Sequence, residues 1–240
     1  MRIGNVSFIN SYPFQYGLET FADFKVSKLV PSAIAKALEE DTIDVGLVPV
    51  ATYIQHPEWH IVSDYCIGAV GMVKTVLLIS KKPIAEVKTI CYDSDSRSSN
   101  MLTNVLCANY WNITPTEADY EHADACVMIG DKAFLDYSSE FPYSYDLAQE
   151  WFNFQKMPFV FAVWASNKVL PEEELTKLNK ALKFGVEHIT ESVEMFKENM
   201  DISEEKAIDY LTLNISYPLD EAKKSAIQQF KALSAQLDLI

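Results

Sequence analysis

The segment Ser96-Arg97-Ser98-Ser99 gathers three hydroxyls and one guanidinium ahead of a helical pattern made by Met101, Leu102, Val105 and Leu106. A strand-like run, Val87 to Tyr92, precedes it. Free N–H groups and a partial positive charge at a helix start suit an anion. A guanidinium can hold a carboxylate through two parallel bonds. Arg97 is one of two arginines, with Arg2, in a chain of eighteen lysines. The simpler alternative is a serine-rich cap with an exposed arginine. Asn10 and Ser11 form a second candidate, at the carboxyl end of a strand over 2–7. Ligands of open α/β sheets bind beyond such ends; the alternative is that Asn10 only caps a helix. Gly130-Asp131, after a strand over 125–129, is a third. Its glycine allows close backbone approach, and Asp131 reads as a helix cap.

Other constellations carry less. His56 and His60 stand four apart, but Pro57 breaks the helix that would aim both at a metal. No metal site is expected. Cys66, Cys91, Cys107 and Cys126 form no close pair, so they fit neither a disulfide framework nor a zinc pattern. They read as buried thiols of a reduced, cytoplasmic protein. Trp151, Phe152, Phe154, Phe159, Phe161 and Trp164 read as core packing.

Composition removes whole function classes. Seven glycines are spread over 240 residues, and the nearest pair is Gly68 and Gly71. Neither a dinucleotide fingerprint nor a nucleotide-triphosphate loop can be built from them. A net charge of −14 argues against nucleic acid as a partner. No apolar run reaches the roughly 20 residues of a membrane span, and the start lacks a signal-peptide pattern. No membrane partner is expected.

These residues need elements to position them. A strand over 2–7, a helix from Pro13, a strand over 25–30, a helix opening at Pro31-Ser32 and a strand over 44–48 predict an α/β fold. Strand-like runs recur at 74–80, 87–92, 125–129 and 159–165. Thr75–Ser80 would carry the chain out of a first lobe and Phe159–Ser166 would bring it back. The expected lobes are 1–80 plus 166–240, and 81–165, with a ligand cleft between them. After Pro171, Leu175, Leu178, Leu182, Ile189, Val193 and Phe196 trace one face of a long helix. Asp201 and Asp220 read as caps of two more.

An ordered set of segments now carries a resemblance. They are Val6-Ser7-Phe8-Ile9-Asn10-Ser11-Tyr12-Pro13, Ile43 to Val50, Cys66-Ile67-Gly68 and Val73-Lys74-Thr75-Val76-Leu77-Leu78. Asp95-Ser96-Arg97-Ser98-Ser99, Val127 to Asp131, Pro158 to Trp164 and Asn214-Ile215-Ser216-Tyr217 complete it. Together they resemble the MqnA family, the chorismate dehydratases of the futalosine route to menaquinone. The resemblance implies a two-lobed, periplasmic-binding-protein-like (type II) fold with an inter-lobe cleft. It implies loss of water from chorismate, a small dianion, with no metal and no organic cofactor. It places the catalytic asparagine at Asn10, and a hydroxyl residue at Thr75 where relatives often have serine. Ser11, Lys74, Ser96, Arg97, Ser98, Ser99 and Gly130 are the expected substrate contacts. Phe154 to Met157 departs from the turn common in relatives. One rival is the dihydroxynaphthoate synthase of the same pathway, which carries a histidine base where this chain has Gly130. The other is a non-catalytic solute-binding or sensor module.

Overall fold

A computed structural model describes residues 1–21, 24–94 and 96–240. The chain opens with β1 (Arg2–Asn5), α1 (Tyr12–Phe21), β2 (Lys25–Lys28), α2 (Pro31–Glu39), β3 (Val45–Pro49), α3 (Val50–Gln55) and β4 (His60–Ala69). It continues through β5 (Val76–Ser80), β6 (Thr89–Cys91), α4 (Arg97–Leu106), β7 (Thr116–Glu117), β8 (Ala125–Ile129), β9 (Tyr143–Asp146), α5 (Leu147–Gln155) and β10 (Phe159–Ser166). It closes with α6 (Glu172–Glu187), α7 (Ile189–Phe196), α8 (Glu204–Asp209), β11 (Ser216–Pro218) and α9 (Glu221–Ala235). The fold is α/β, as the alternating pattern requires. Asp95, in one of the resembling segments, lies outside the described residues.

The chain divides into two units, Met1–Gly68 with Val160–Glu221, and Ala69–Phe159 with Ala222–Ile240. In the first unit the sheet order is β11-β4-β10-β3-β1-β2. β1 runs parallel to β2 and β3, while β10 runs antiparallel to β3 with Trp164 opposite Leu47. β3 is buried over Val45–Val48 because it lies inside the sheet, whereas Lys-Val-Ser-Lys of β2 is polar and forms the edge. α1 meets α6 backbone to backbone. A Cβ added at Gly185 would lie 1.7 Å from the Pro13 carbonyl oxygen, so only glycine permits this approach.

In the second unit the order is β7-β6-β8-β5-β9. β8 is parallel to β6, and β5 is antiparallel to both β8 and β9. Trp151 of α5 is fully buried, edge-on to Phe159 and Phe230 at centroid distances of 5.4 and 5.9 Å. Its indole N–H donates to the Pro158 carbonyl at 3.0 Å. Trp151, Phe159 and Trp164 of the aromatic stretch are core, while Phe152, Phe154 and Phe161 are half-buried.

Several expectations differ from what is found. The run 75–80 does not leave one unit for the other, because β5 sits between β8 and β9 inside the second sheet. The boundaries fall after Gly68 and Phe159, not after 80 and 165. Residues 222–240 belong to the second unit, since Phe230 of α9 packs on Trp151 and Phe159. The long helix is two helices, broken at His188 with φ −127° and ψ 49°. Burial of Val193 and Phe196 carries the apolar period across the break, and a period reports facing, not continuity. Ser203, not Asp201, caps α8, accepting from the Lys206 N–H at 3.2 Å. The ten-residue β4 gives no clear strand signal in the sequence because His60, Ser63 and Asp64 disturb its alternation.

Candidate functional site

The first unit holds Asn10 in a single 3-10 turn, Ile9–Ser11, directly after β1 and before α1. The turn starts from Phe8 without a side-chain cap, and the Asn10 Oδ1 accepts from no helix N–H among the described residues. Ser11 is fully buried, and its hydroxyl lies 2.7 Å from the Val6 carbonyl and 2.8 Å from that of Phe8. One hydroxyl hydrogen is shared between two carbonyls, so Ser11 shapes the loop that carries Asn10. From the other side the Tyr217 hydroxyl donates to the Asn10 carbonyl at 3.0 Å. Tyr217 is buried, and burial pushes its phenol well above the ordinary tyrosine value. The backbone of Asn10 is thus fixed. Its side-chain Oδ1 is buried and finds no hydrogen-bond partner among the described residues. Leaving such an atom unmet costs about 1–3 kcal/mol, which a ligand donor can recover.

A cavity of about 250 Å³ lies in the same unit, lined by Ser7, Tyr12, Gln15, Lys28 and Phe196. The Lys28 ammonium stands 5.0 Å over the Phe196 ring and 3.5 Å from Glu19. Gln15 accepts from the buried Asn5 amide at 2.8 Å and donates to Glu19. Sequence reasoning did not single out these side chains. Lys28 sits on an edge strand among polar residues and carries no local signal.

The second unit brings most of the other expected residues to the adjoining ends of two neighbouring strands, β5 and β8, and to one helix start. Ser96 caps α4, accepting from the Ser99 N–H at 3.3 Å and donating to the Ser99 hydroxyl at 2.7 Å. Ser98 and Ser99 are buried, while Arg97 points to solvent with no ion pair among the described residues. Asn100 pins the preceding loop, donating to the Asp93 carbonyl at 2.7 Å and accepting from the Asp93 N–H at 3.2 Å. The segment is both a serine cap and a place where a guanidinium without an ion pair among the described residues stands at a helix start. Lys74 is exposed, at the unusual φ of +67°. Thr75 is buried, and its carbonyl accepts from the Gly130 N–H at 3.0 Å. Gly130 has φ +60°, a conformation that favours glycine. Asp131 lies inside the short turn Gly130–Phe134, whose first flanking residue, Ile129, provides no side-chain cap.

A family model described as menaquinone biosynthesis matches residues 1–236. The chain belongs to the menaquinone biosynthesis family. It is 23% identical to the chorismate dehydratase of Thermus thermophilus, over 95% of this chain and 93% of that one. Among solved structures, protein AF1704 of Archaeoglobus fulgidus matches with a TM-score of 0.77 at 15% identity, covering 100% of this chain and 98% of that one. A Candida albicans protein described as having the generic periplasmic binding protein fold matches with a TM-score of 0.62 at 11% identity, over 100% and 92%. The fold of this menaquinone biosynthesis protein is therefore periplasmic-binding-protein-like.

Among the described residues no three His, Cys, Asp or Glu side chains cluster as a metal site, and no helix is long and apolar enough to cross a membrane. His56 hydrogen-bonds Glu58 at 3.0 Å and stacks on Trp59 at 4.0 Å. The four cysteines are free thiols, and burial pushes Cys107 and Cys126 up to about 12. Such thiols are poor nucleophiles near neutrality.

Proposed function

We propose that this member of the menaquinone biosynthesis family is a chorismate dehydratase, a hydro-lyase giving 3-[(1-carboxyvinyl)oxy]benzoate and water. Membership of the family and the likeness to a chorismate dehydratase support the reaction class. The observation that carries the reading is the buried, unmatched Oδ1 of Asn10, on the residue to which the resemblance gives catalysis.

The reaction removes a ring hydrogen and the neighbouring hydroxyl, and the ring becomes aromatic. Aromatisation supplies the drive, so the protein need only orient groups and guide two protons. Asparagine is a poor base. The substrate's own enolpyruvyl carboxylate takes the ring proton, with Asn10 and Thr75 assigned to orienting that carboxylate and the departing hydroxyl. Arg97, Lys74 and the start of α4 at Ser96, Ser98 and Ser99 are assigned to the substrate's negative charge. Gly130 is assigned to close backbone approach. Ser11 keeps a supporting part, as its hydroxyl already serves the loop.

The test follows the diene absorbance of chorismate after mixing with the protein. Loss of that absorbance with one benzoate product per chorismate is the expected result. Binding without loss would assign a solute-binding module instead. Asn10→Ala should lower turnover by at least about 100-fold while leaving chorismate binding measurable. Near-normal turnover in that variant would remove Asn10 from catalysis.

A further inference from the structure

Asp146 ends β9, opposite Leu77 of β5, and begins α5. Its Oδ1 accepts from the Ala148 and Gln149 N–H groups, both at 3.1 Å, which is an ordinary helix cap. A cap needs one acceptor oxygen, and a serine or asparagine supplies it as well. Here Oδ2 is engaged too. It accepts from the Val73 N–H at 3.0 Å, a donor that also reaches Oδ1 at 3.2 Å, and alone takes the Lys74 N–H at 2.6 Å. One carboxylate therefore joins the start of α5 to a turn 72 residues earlier in the chain.

That turn is the one that delivers Thr75. Lys74 is held at φ +67°, which costs a lysine about 1–2 kcal/mol and persists only when its surroundings impose it. The two amides that Asp146 holds are that of Lys74 itself and the one just before it, leading into the strained residue. On the other side the Thr75 carbonyl takes the Gly130 N–H at 3.0 Å. Thr75 is thus set between two fixed points, Asp146 through residues 73–74 and the turn at Gly130. Every one of these contacts lies within the second unit.

We propose that Asp146 is a positioning residue, whose second carboxylate oxygen holds the 73–74 turn and thereby sets the Thr75 hydroxyl for dehydration. The proposal rests on the reading of Thr75 given above. It touches no reacting atom and acts only through the turn.

Asp146→Ser separates the two jobs, because serine still caps α5 but is too short, and too poor in acceptors, to hold residues 73 and 74. The purified variant is compared with the parent for chorismate turnover, chorismate affinity, thermal midpoint and amide hydrogen exchange. Expected are a kcat lowered about 10- to 100-fold, a Kd raised severalfold less than kcat falls, and faster exchange confined to Val73, Lys74 and Thr75. A cap alone would leave kcat and those amides at parental values, and that outcome overturns the proposal. So does a loss of kcat that merely tracks the folded fraction. Should the parent fail to consume chorismate, the dehydratase reading falls by itself, and the exchange of Val73 and Lys74 still decides whether Asp146 holds the turn. Should the variant not fold, exchange in the parent decides: Val73 and Lys74 amides as slow as those of β5 support the proposal, and loop-like exchange overturns it.

Discussion

The two arginines of this chain do opposite work. Arg2 is tied into an ion cluster, its guanidinium 2.7 Å from Asp44, while Arg97 stands exposed at a helix start with no partner among the described residues. An exposed guanidinium with no partner among the described residues is placed to meet an incoming carboxylate. A charge-assisted bidentate pair contributes about 1.5–3 kcal/mol, or roughly 10- to 100-fold in affinity. Arg97→Met should weaken chorismate binding by about that factor and leave the thermal midpoint unchanged, both read by titration calorimetry and a melt. Unchanged affinity would remove Arg97 from the site. Sequence marks Arg97 by its place among serines at a helix start and by the rarity of arginine here. It could not mark the orphaned Oδ1 of Asn10, which exists only once Ser11 and Tyr217 fix the backbone around it.

Among elements, Asp44 joins three. It accepts from the Arg2 backbone at 2.8 Å and side chain at 2.7 Å, and from Lys168 at 2.7 Å, so β1, the start of β3 and the segment after β10 meet at one carboxylate. The Arg2 bond, then Lys168, hold its carboxyl well below the usual carboxylate range. A lowered pKa adds stability that is present above the unfolded value near 3.9 and is lost as pH falls through the folded value. Asp44→Asn should therefore cost about 1.5–3 kcal/mol at pH 7, and the gap to the parent should narrow by about 1 kcal/mol at pH 3. Urea midpoints at the two pH values measure this; an equal gap at both would discard the linkage. Elements such as β8 were legible because a compact apolar run, Ala125–Ile129, ends at a glycine. The clamp at Asp146 was not, because its partners Val73 and Lys74 are far away in sequence and only the sheet brings them close. The break at His188 was hidden by an apolar period that continues through it.

At the scale of the molecule, the chain passes between units after Gly68, Phe159 and Glu221, so the last 19 residues complete a unit begun 153 residues earlier. That has a direct thermodynamic consequence. Ala226, Ile227, Phe230 and Leu233 of α9 are buried, with Phe230 5.0 Å from Phe159. Truncating one buried Ile or Phe to Ala costs about 2–5 kcal/mol, and removing the whole helix removes several such side chains. A domain's entire stability is about 5–15 kcal/mol. A chain ending at Glu221 keeps every strand of the first sheet, β11 included, but loses this wall of the second. Hydrogen exchange should then find the amides of Leu78 and Val127 unprotected while those of Val45 to Val48 stay slow. If α9 instead belonged with the first unit, as sequence order suggests, the pattern would be the reverse. Protection of Leu78 and Val127 at parental levels in the shortened chain would refute the division described here.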